Sequence, residues 1–327
     1  MPAHFLARAA RTAALPLALF AMAAPAAAQA YPQGPITLVV PFPPGGSNDL
    51  FARHMSKDLG DALGQPIVIE NRPGAGGTMG AALVSRAQPD GHTLMLVSST
   101  FVTNAVTQAS TPFDIFKDFT PVALLAKAPL IVTVNNDFPV RNPSELVALI
   151  RKNPGKYNYA SAGPGSLNQF SMELLKSQAG GLDITHVPYR GGGPAVNDMI
   201  GNRTQVYITS APAALPTVRT GKIKAIGVTS LAPSPIAPDL PTVASAVPGY
   251  EYQSWWAILG PAGTPAPVVE QLNAAINAVM TTPQIRESFL REGAQATPGT
   301  PAELAQLLSS EFARFKKLAQ DQHIVAQ

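Results

Sequence analysis

From Ile36 onward, short runs of β-branched and apolar residues alternate with segments whose apolar residues recur at helical spacing. The first run, Ile36-Thr37-Leu38-Val39-Val40, predicts a buried strand ended by Pro41, which cannot donate to a ladder. A Pro-Gly loop, Phe42 to Asn48, then leads into a helix over 49–63, where Phe51, Met55, Leu59 and Ala62 recur at helical spacing. The pattern repeats along the chain. It predicts strands over 66–70, 92–98, 157–160, 184–188, 206–208 and 225–229, and helices over 81–87, 167–178 and 194–200. A further helix opens at Asn142-Pro143-Ser144-Glu145, with a cap, a proline at its first position and an acid at its third, and Pro154-Gly155 ends it. Such alternation is the pattern of an α/β fold with largely parallel sheets. Two longer extended stretches stand apart. One runs over 121–134, interrupted by Lys127 and Pro129, and the other over 251–259; both suit a chain passing between domains. A Pro-rich segment over 231–242 resists regular structure, and the C-terminal part reads as helical. There Thr300-Pro301-Ala302-Glu303 has the spacing of a capping box, followed by an apolar face of Leu304, Leu308, Phe312 and Phe315.

A length of 327 residues suits two domains, and 46% hydrophobic against 13% charged residues excludes a disordered chain. Residues 1–30 read as a secretory signal: Arg8 and Arg11, an apolar run from Ala13 to Ala24, and small residues ending at Ala28-Gln29-Ala30. Cleavage is expected before Tyr31, or alternatively after Ala28. The apolar run is short for a membrane anchor, so the expected product diffuses in the periplasm. Without those two arginines, the 23 basic and 20 acidic residues leave a net charge near +1, unlike the clustered basic surface that binds nucleic acid. The absence of cysteine removes disulfides, thiolate catalysis and Cys-ligated metals.

Three places share a strand, a glycine-rich loop and a helix: Pro43-Pro44-Gly45-Gly46-Ser47-Asn48, Ala162-Gly163-Pro164-Gly165-Ser166 and Arg190-Gly191-Gly192-Gly193. Unpaired helix N–H groups and the peptide dipole favour an anion at such junctions, and three together point to a site for a small carboxylate or another oxyanion. Taken singly, each loop is equally a tight turn. Ser98 and Thr100 follow one buried strand, Ser210 another, and Tyr189 with Arg190 a third. Strand C-termini are where open α/β sheets present ligand-contacting groups. Arg190 is placed either to pair with a second carboxylate or to bridge the lobe surface. Gly74-Ala75-Gly76-Gly77-Thr78-Met79-Gly80 has Met79 where a dinucleotide fingerprint needs its third glycine, and there is no P-loop. No Gly-x-Ser-x-Gly elbow occurs, and His54, His92, His186 and His323 include no pair at metal-ligand spacing. His186 reads as a packed or capping residue, Asp49 as a helix cap rather than a catalytic acid, and Trp255 and Trp256 as cleft or core residues.

These residues, in order, resemble a known family. Tyr31-Pro32, the run from Pro35 to Gly46, Asp49 and Ala52-Arg53 are similar to the opening of the Bug proteins, substrate-binding receptors of tripartite tricarboxylate transporters. The resemblance continues through Glu70-Asn71-Arg72-Pro73-Gly74-Ala75-Gly76-Gly77, Pro89-Asp90-Gly91-His92-Thr93-Leu94, Pro154-Gly155-Lys156 and Gly163 with Gly165-Ser166. Glu173-Leu174, His186-Val187-Pro188-Tyr189-Arg190-Gly191, Asp239-Leu240-Pro241-Thr242 and Pro261-Ala262-Gly263-Thr264-Pro265 complete it. It implies a two-lobed α/β periplasmic binding protein, type II-like, with two crossing strands and a ligand cleft between the lobes. The expected lobes are 31–128 plus 251–327, and 129–250, closing about 127–129 and 250–253. It also implies that a carboxylate is gripped by Phe42, Pro43, Gly45, Gly46, Ser47, Asn48 and Asp49 on one side. Ala162, Gly163, Gly165 and Ser166 are the grip on the other, partly through backbone amides. Gln169 stands where many relatives have histidine, and Asn202-Arg203-Thr204 replaces a usual Gly-Gln turn. The expectation is a monomeric receptor, without catalytic residue, cofactor or metal, that binds a small organic anion and serves membrane transporter subunits. A periplasmic α/β hydrolase and a receptor feeding a sensor kinase are the alternatives.

Overall fold

The computed structural model describes residues 31–108 and 110–324; the expected signal, residues 1–30, lies outside them. Ten strands and ten α-helices are found among the described residues. β1 (Ile36–Val40) pairs in parallel with β2 (Ile67–Asn71) and β3 (Thr93–Ser98). α1 (Ser47–Leu63) follows β1, α2 (Thr78–Val84) follows β2, and α3 (Thr100–Thr107) follows β3. The next strand, β4 (Phe119–Asn135), runs for 17 residues and changes partners halfway. Its first half pairs antiparallel with β9 (Gln253–Pro261), from Phe119↔Pro261 to Pro129↔Gln253, and with β10 (Gln295–Gly299). From Leu130 it pairs antiparallel with β7 (Val206–Ser210) and β8 (Ile223–Val228). β5 (Asn158–Ser161) lies parallel between β7 and β6 (Thr185–Pro188), giving the order β2-β1-β3-β9-β4-β7-β5-β6.

The remaining helices are α4 (Pro143–Lys152), α5 (Leu167–Gln178), α6 (Gly192–Ile200), α7 (Ala211–Arg219), α8 (Ala266–Met280), α9 (Pro283–Arg291) and α10 (Pro301–Asp321). The caps read from sequence form: Asn142 accepts from the Glu145 amide, and Thr300 and Glu303 close a reciprocal capping box. Several expectations need correction. The stretch read as broken is one continuous strand; Pro129, with no N–H to pair, falls where β4 exchanges partners, and register shifts follow Pro121. α3 and α7 were not expected, because α3 is rich in β-branched residues and α7 carries Pro212 and Pro216, poor helix formers outside the first turn. α2 starts three residues earlier than predicted, directly after the glycine turn in which Gly74, Gly76 and Gly77 have positive φ. β10 interrupts the C-terminal part, which is therefore not wholly helical.

The core is continuous from the first sheet to the second. Phe51 of α1 stacks on Phe289 at 4.2 Å and meets Trp256 edge-on at 4.8 Å. α10 packs on β4 and α3 and reaches α5, where the Phe315 and Phe170 rings lie 5.2 Å apart. Phe315 also stacks on Tyr252 beside the start of β9. No helix among the described residues is long and apolar enough to cross a membrane.

Candidate functional site: a cleft at the strand ends

The β1–α1 loop is held from below by a carboxylate. Asp49, 2% exposed, accepts from the Gly45 amide and from Arg53 Nε, both at 2.9 Å, through Oδ2. Its Oδ1 takes Asn71 Nδ2 at 2.9 Å. The Arg53 bond above all, against the cost of burial, holds the Asp49 carboxyl at about 2. Asp49 is therefore an ionised clamp that shapes the loop, and not a proton donor at neutral pH.

The preceding residue has a different partner. Asn48 is 4% exposed; its Oδ1 accepts from Trp256 Nε1 at 2.9 Å, which fixes the amide and leaves Nδ2 without a partner. Buried amide donors are normally paired, so this orphan, on a residue that also lines a cavity, is a candidate donor for an acceptor. The cavity has a volume of about 340 Å³ and is lined by Phe42, Pro43, Pro44, Gly46, Ser47, Asn48, Ser98 and Thr100. α1 begins here with Gly46 as its N-cap and no side chain on its first amides, so its dipole end is open. The Ser98 and Thr100 hydroxyls lie 3.0 Å apart at the end of β3.

The second loop is built differently. The Ala162 amide donates to Asn168 Oδ1 at 3.3 Å, Gly163 to Ser161 Oγ at 3.1 Å, and Gly165 to Gln169 Oε1 at 2.8 Å. Ser166 caps α5 and gives its hydroxyl proton to the Gly163 carbonyl at 2.6 Å. Of the four glycine amides expected to grip a carboxylate, those of Gly45, Gly163 and Gly165 are thus engaged inside their own loops. Gly46 N has no such bond in its loop. The second loop does, however, approach α3. A Cβ on Gly165, whose φ is +75°, would lie 3.1 Å from Thr107 Oγ1 at the end of α3.

The other expected groups divide. Tyr189 gives its hydroxyl proton to Asp198 at 2.8 Å, and Asp198 also binds Arg203 at 2.7 Å, so that phenol is committed within its lobe. Arg190 is exposed, and Ser210 is the half-buried N-cap of α7. Trp255 turns away from the cleft and donates to the buried Glu311 of α10 at 2.8 Å, whereas Trp256 serves Asn48. Sequence reasoning missed the Ser161–His186 contact, 2.6 Å from Oγ to Nε2. That spacing suits a nucleophile and base, but Ser161 is fully buried and His186 Nδ1 faces the Gln169 amide instead of a carboxylate. Among the described residues no cluster of three or more His, Asp or Glu is placed to hold a metal.

Two α/β lobes joined through β4, with an uncharged cavity at the ends of β1 and β3, define a periplasmic solute-binding protein. The sequence agrees. The chain belongs to the tripartite tricarboxylate transporter family receptors (TctC), matching that family over residues 51–324. It is similar to the periplasmic binding protein BugD, 32% identical with a TM-score of 0.72 over 91% of this chain and 100% of that one. It is similar also to R. palustris Rpa4515 with adipate, 33% identical, TM-score 0.76, covering 90% and 99% of the two chains. MatC (Rpa3494) from Rhodopseudomonas palustris with bound malate is 34% identical, TM-score 0.71, over 88% and 99%. The Bug resemblance and the two-lobed fold expected from sequence are thereby borne out.

Proposed function

We propose that this protein captures a small organic carboxylate between its lobes in the periplasm and delivers it to a tripartite tricarboxylate-type transporter. The observation that carries this reading is the orphan Asn48 Nδ2, fixed by Trp256 at the open N-terminus of α1. A carboxylate there takes that amide proton, the first amides of α1 and the hydroxyls of Ser47, Ser98 and Thr100. Two relatives that hold adipate and malate support the ligand class. In this reading the lobes are residues 31–128 with 251–327, and 129–250, and residues 1–30 are removed on export. Arg190, the exposed cation beside the second loop, meets the far end of a dicarboxylate.

Closure rests on Arg190, whose guanidinium fork is the one contact named in 129–250, since the others all lie in 31–128. A ligand shifts an open–closed equilibrium only through bonds that one state has and the other lacks. Two bonds to a carboxylate gained on closing supply roughly 3–6 kcal/mol, and about 5.5 kcal/mol turns a mostly open population into a mostly closed one. The test is calorimetry and thermal melting against a panel that includes adipate and malate, with mass spectrometry of ligand released from gently purified protein. Saturating ligand at one hundred times Kd should stabilise the fold by about 2.7 kcal/mol. A panel of mono- and dicarboxylates without heat, melting shift or co-purified acid would overturn the reading.

A further inference from the structure

His186 and Gln169 form a relay beneath the second loop that the capture of a ligand does not by itself require. Ser161 Oγ lies 2.6 Å from His186 Nε2, 3.1 Å from the Gly163 amide nitrogen and 3.2 Å from the Gly163 carbonyl oxygen. On the other side of the imidazole, Gln169 Oε1 accepts the Gly165 amide at 2.8 Å, and its Nε2 lies 3.5 Å from His186 Nδ1. A backbone N–H can only donate, so Gly165 determines which end of the Gln169 amide is oxygen. The NH₂ end then faces Nδ1, which must accept. The neutral ring accordingly carries its proton on Nε2 and donates it to Ser161. Ser161 accepts from His186 and from Gly163, and its own proton goes to the Gly163 carbonyl. With the Gly165 bond in place, only this arrangement gives each ring nitrogen a partner of the right kind.

We propose that His186 and Gln169 are positioning residues of the cleft, holding the 161–166 loop through a single imidazole tautomer in the shape that brings Gly165 against Thr107. Its meaning for ligand capture rests on the proposed carboxylate cleft; the ordering of the loop does not. A second proton, on Nδ1, would set an N–H against the Gln169 NH₂ and force the amide to turn, which breaks the Gly165 bond. The groups facing the ring are Tyr159, stacked on it at 4.8 Å, and Glu173 and Lys176 of α5. Glu173 takes the Tyr159 hydroxyl proton and pairs with Lys176 at 2.8 Å, so the two charges act on the ring in opposite senses. Burial holds the ring's pKa below its ordinary value, and the relay is neutral at pH 7.

The test uses the whole protein, with long-range ¹H–¹⁵N spectra of the histidine rings and amide hydrogen exchange at Gly163 and Gly165. Wild type should show His186 in the Nε2–H form. Gln169→Ala should speed exchange at Gly165 at least tenfold and mix the tautomers. Gln169→Glu, whose carboxylate accepts from Gly165 and from a protonated Nδ1 alike, should keep Gly165 protected while moving the proton to Nδ1 and raising the pKa of His186. This second variant decides the matter if the alanine variant does not fold. An Nδ1–H ring in wild type, or a Gln169→Glu protein with the wild-type tautomer and pKa, would overturn the proposal. Affinity for adipate and malate, measured from neutral pH downward, should fall in wild type once the ring is protonated and fall less in Gln169→Glu. If neither acid binds at any pH, the carboxylate reading fails while the tautomer result still judges the relay.

Discussion

Replacing Asn48 with alanine separates ligand recognition from loop architecture. The side chain makes one internal bond, from Trp256 Nε1 to Oδ1, and its Nδ2 is buried without a partner beside the cavity that Asn48 lines. A hydrogen bond to a charged acceptor contributes about 1.5–3 kcal/mol, so the variant should bind a carboxylate roughly tenfold to 150-fold more weakly. Truncation also leaves the buried indole N–H of Trp256 unpaired, which costs about 1–3 kcal/mol of fold stability and lowers the melting temperature by several degrees. Trp256→Phe makes the complementary cut. It keeps a ring against Phe51 and removes the bond that orients Asn48, so affinity should fall by less than in Asn48→Ala. Asn48→Asp should be the most severe, since it turns a carboxylate toward the bound one. Calorimetry with adipate and malate gives the affinities, and melting curves without ligand give the stability cost. If wild type binds one of these acids and Asn48→Ala binds it equally well, the placement of the carboxylate at α1 is wrong.

Other outcomes follow from contacts already described. The Asp49 carboxyl sits near 2 in the folded protein, below its ordinary 3.8, so its stabilisation is complete above about pH 4 and is lost as pH falls toward 2. That loss is on the order of 2 kcal/mol, and acid titration of Asp49→Asn should lack it. Gly80→Val should destabilise by about 1–3 kcal/mol or more in denaturant melts, because even a Cβ there would lie 2.8 Å from the Arg72 carbonyl oxygen and from Pro41 Cβ. Gly165→Val places a branched side chain against Thr107 at a positive φ; it should weaken binding and block the decrease in radius of gyration that small-angle scattering should show for wild type with saturating ligand. Arg190→Ala should weaken a dicarboxylate more than a monocarboxylate of equal length, and equal losses would return Arg190 to a surface role.

The α/β alternation was legible because Ile36–Val40 is an apolar run between Pro35 and Pro41, and Thr93–Ser98 is one that follows the Pro89-Asp90-Gly91 turn. The first loop was legible for the same reason: Pro41 stops a strand and Gly46-Ser47 starts a helix. What could not be read was how the side chains pair. Asn48 and Trp256 are 208 positions apart, and nothing local tells which of two adjacent tryptophans on β9 faces the cleft. A strand alternates its faces, but its sequence does not say which face meets which neighbour. The second loop shows the converse limit. Its glycines suggested free amides, yet Ser161, Asn168 and Gln169 supply acceptors from within one turn of the same segment. α3 and α7 escaped because packing on α10 and β4 overrides weak local propensity.

The place of β9 in the sheet bears on how the chain folds in time. β3 ends at Ser98 and lies beside β9, with Met95 opposite Leu259, so its neighbour is made more than 150 residues later. The first half of β4 waits for the same strand and then for β10. The strands that pair with the second half of β4, and those beyond them, all lie between Asn158 and Val228, so their partners are complete well before β9 is made. The lobe made first is therefore the lobe finished last. Until Pro261 has emerged, β3 and the first half of β4 keep open edges, and contacts of such separation form slowly. Pulse-labelled exchange during refolding should protect β5 and β7 amides before those of β1 and β3. A chain that delays its sheet in this way keeps its first strands open to other partners until the last third of the sequence arrives.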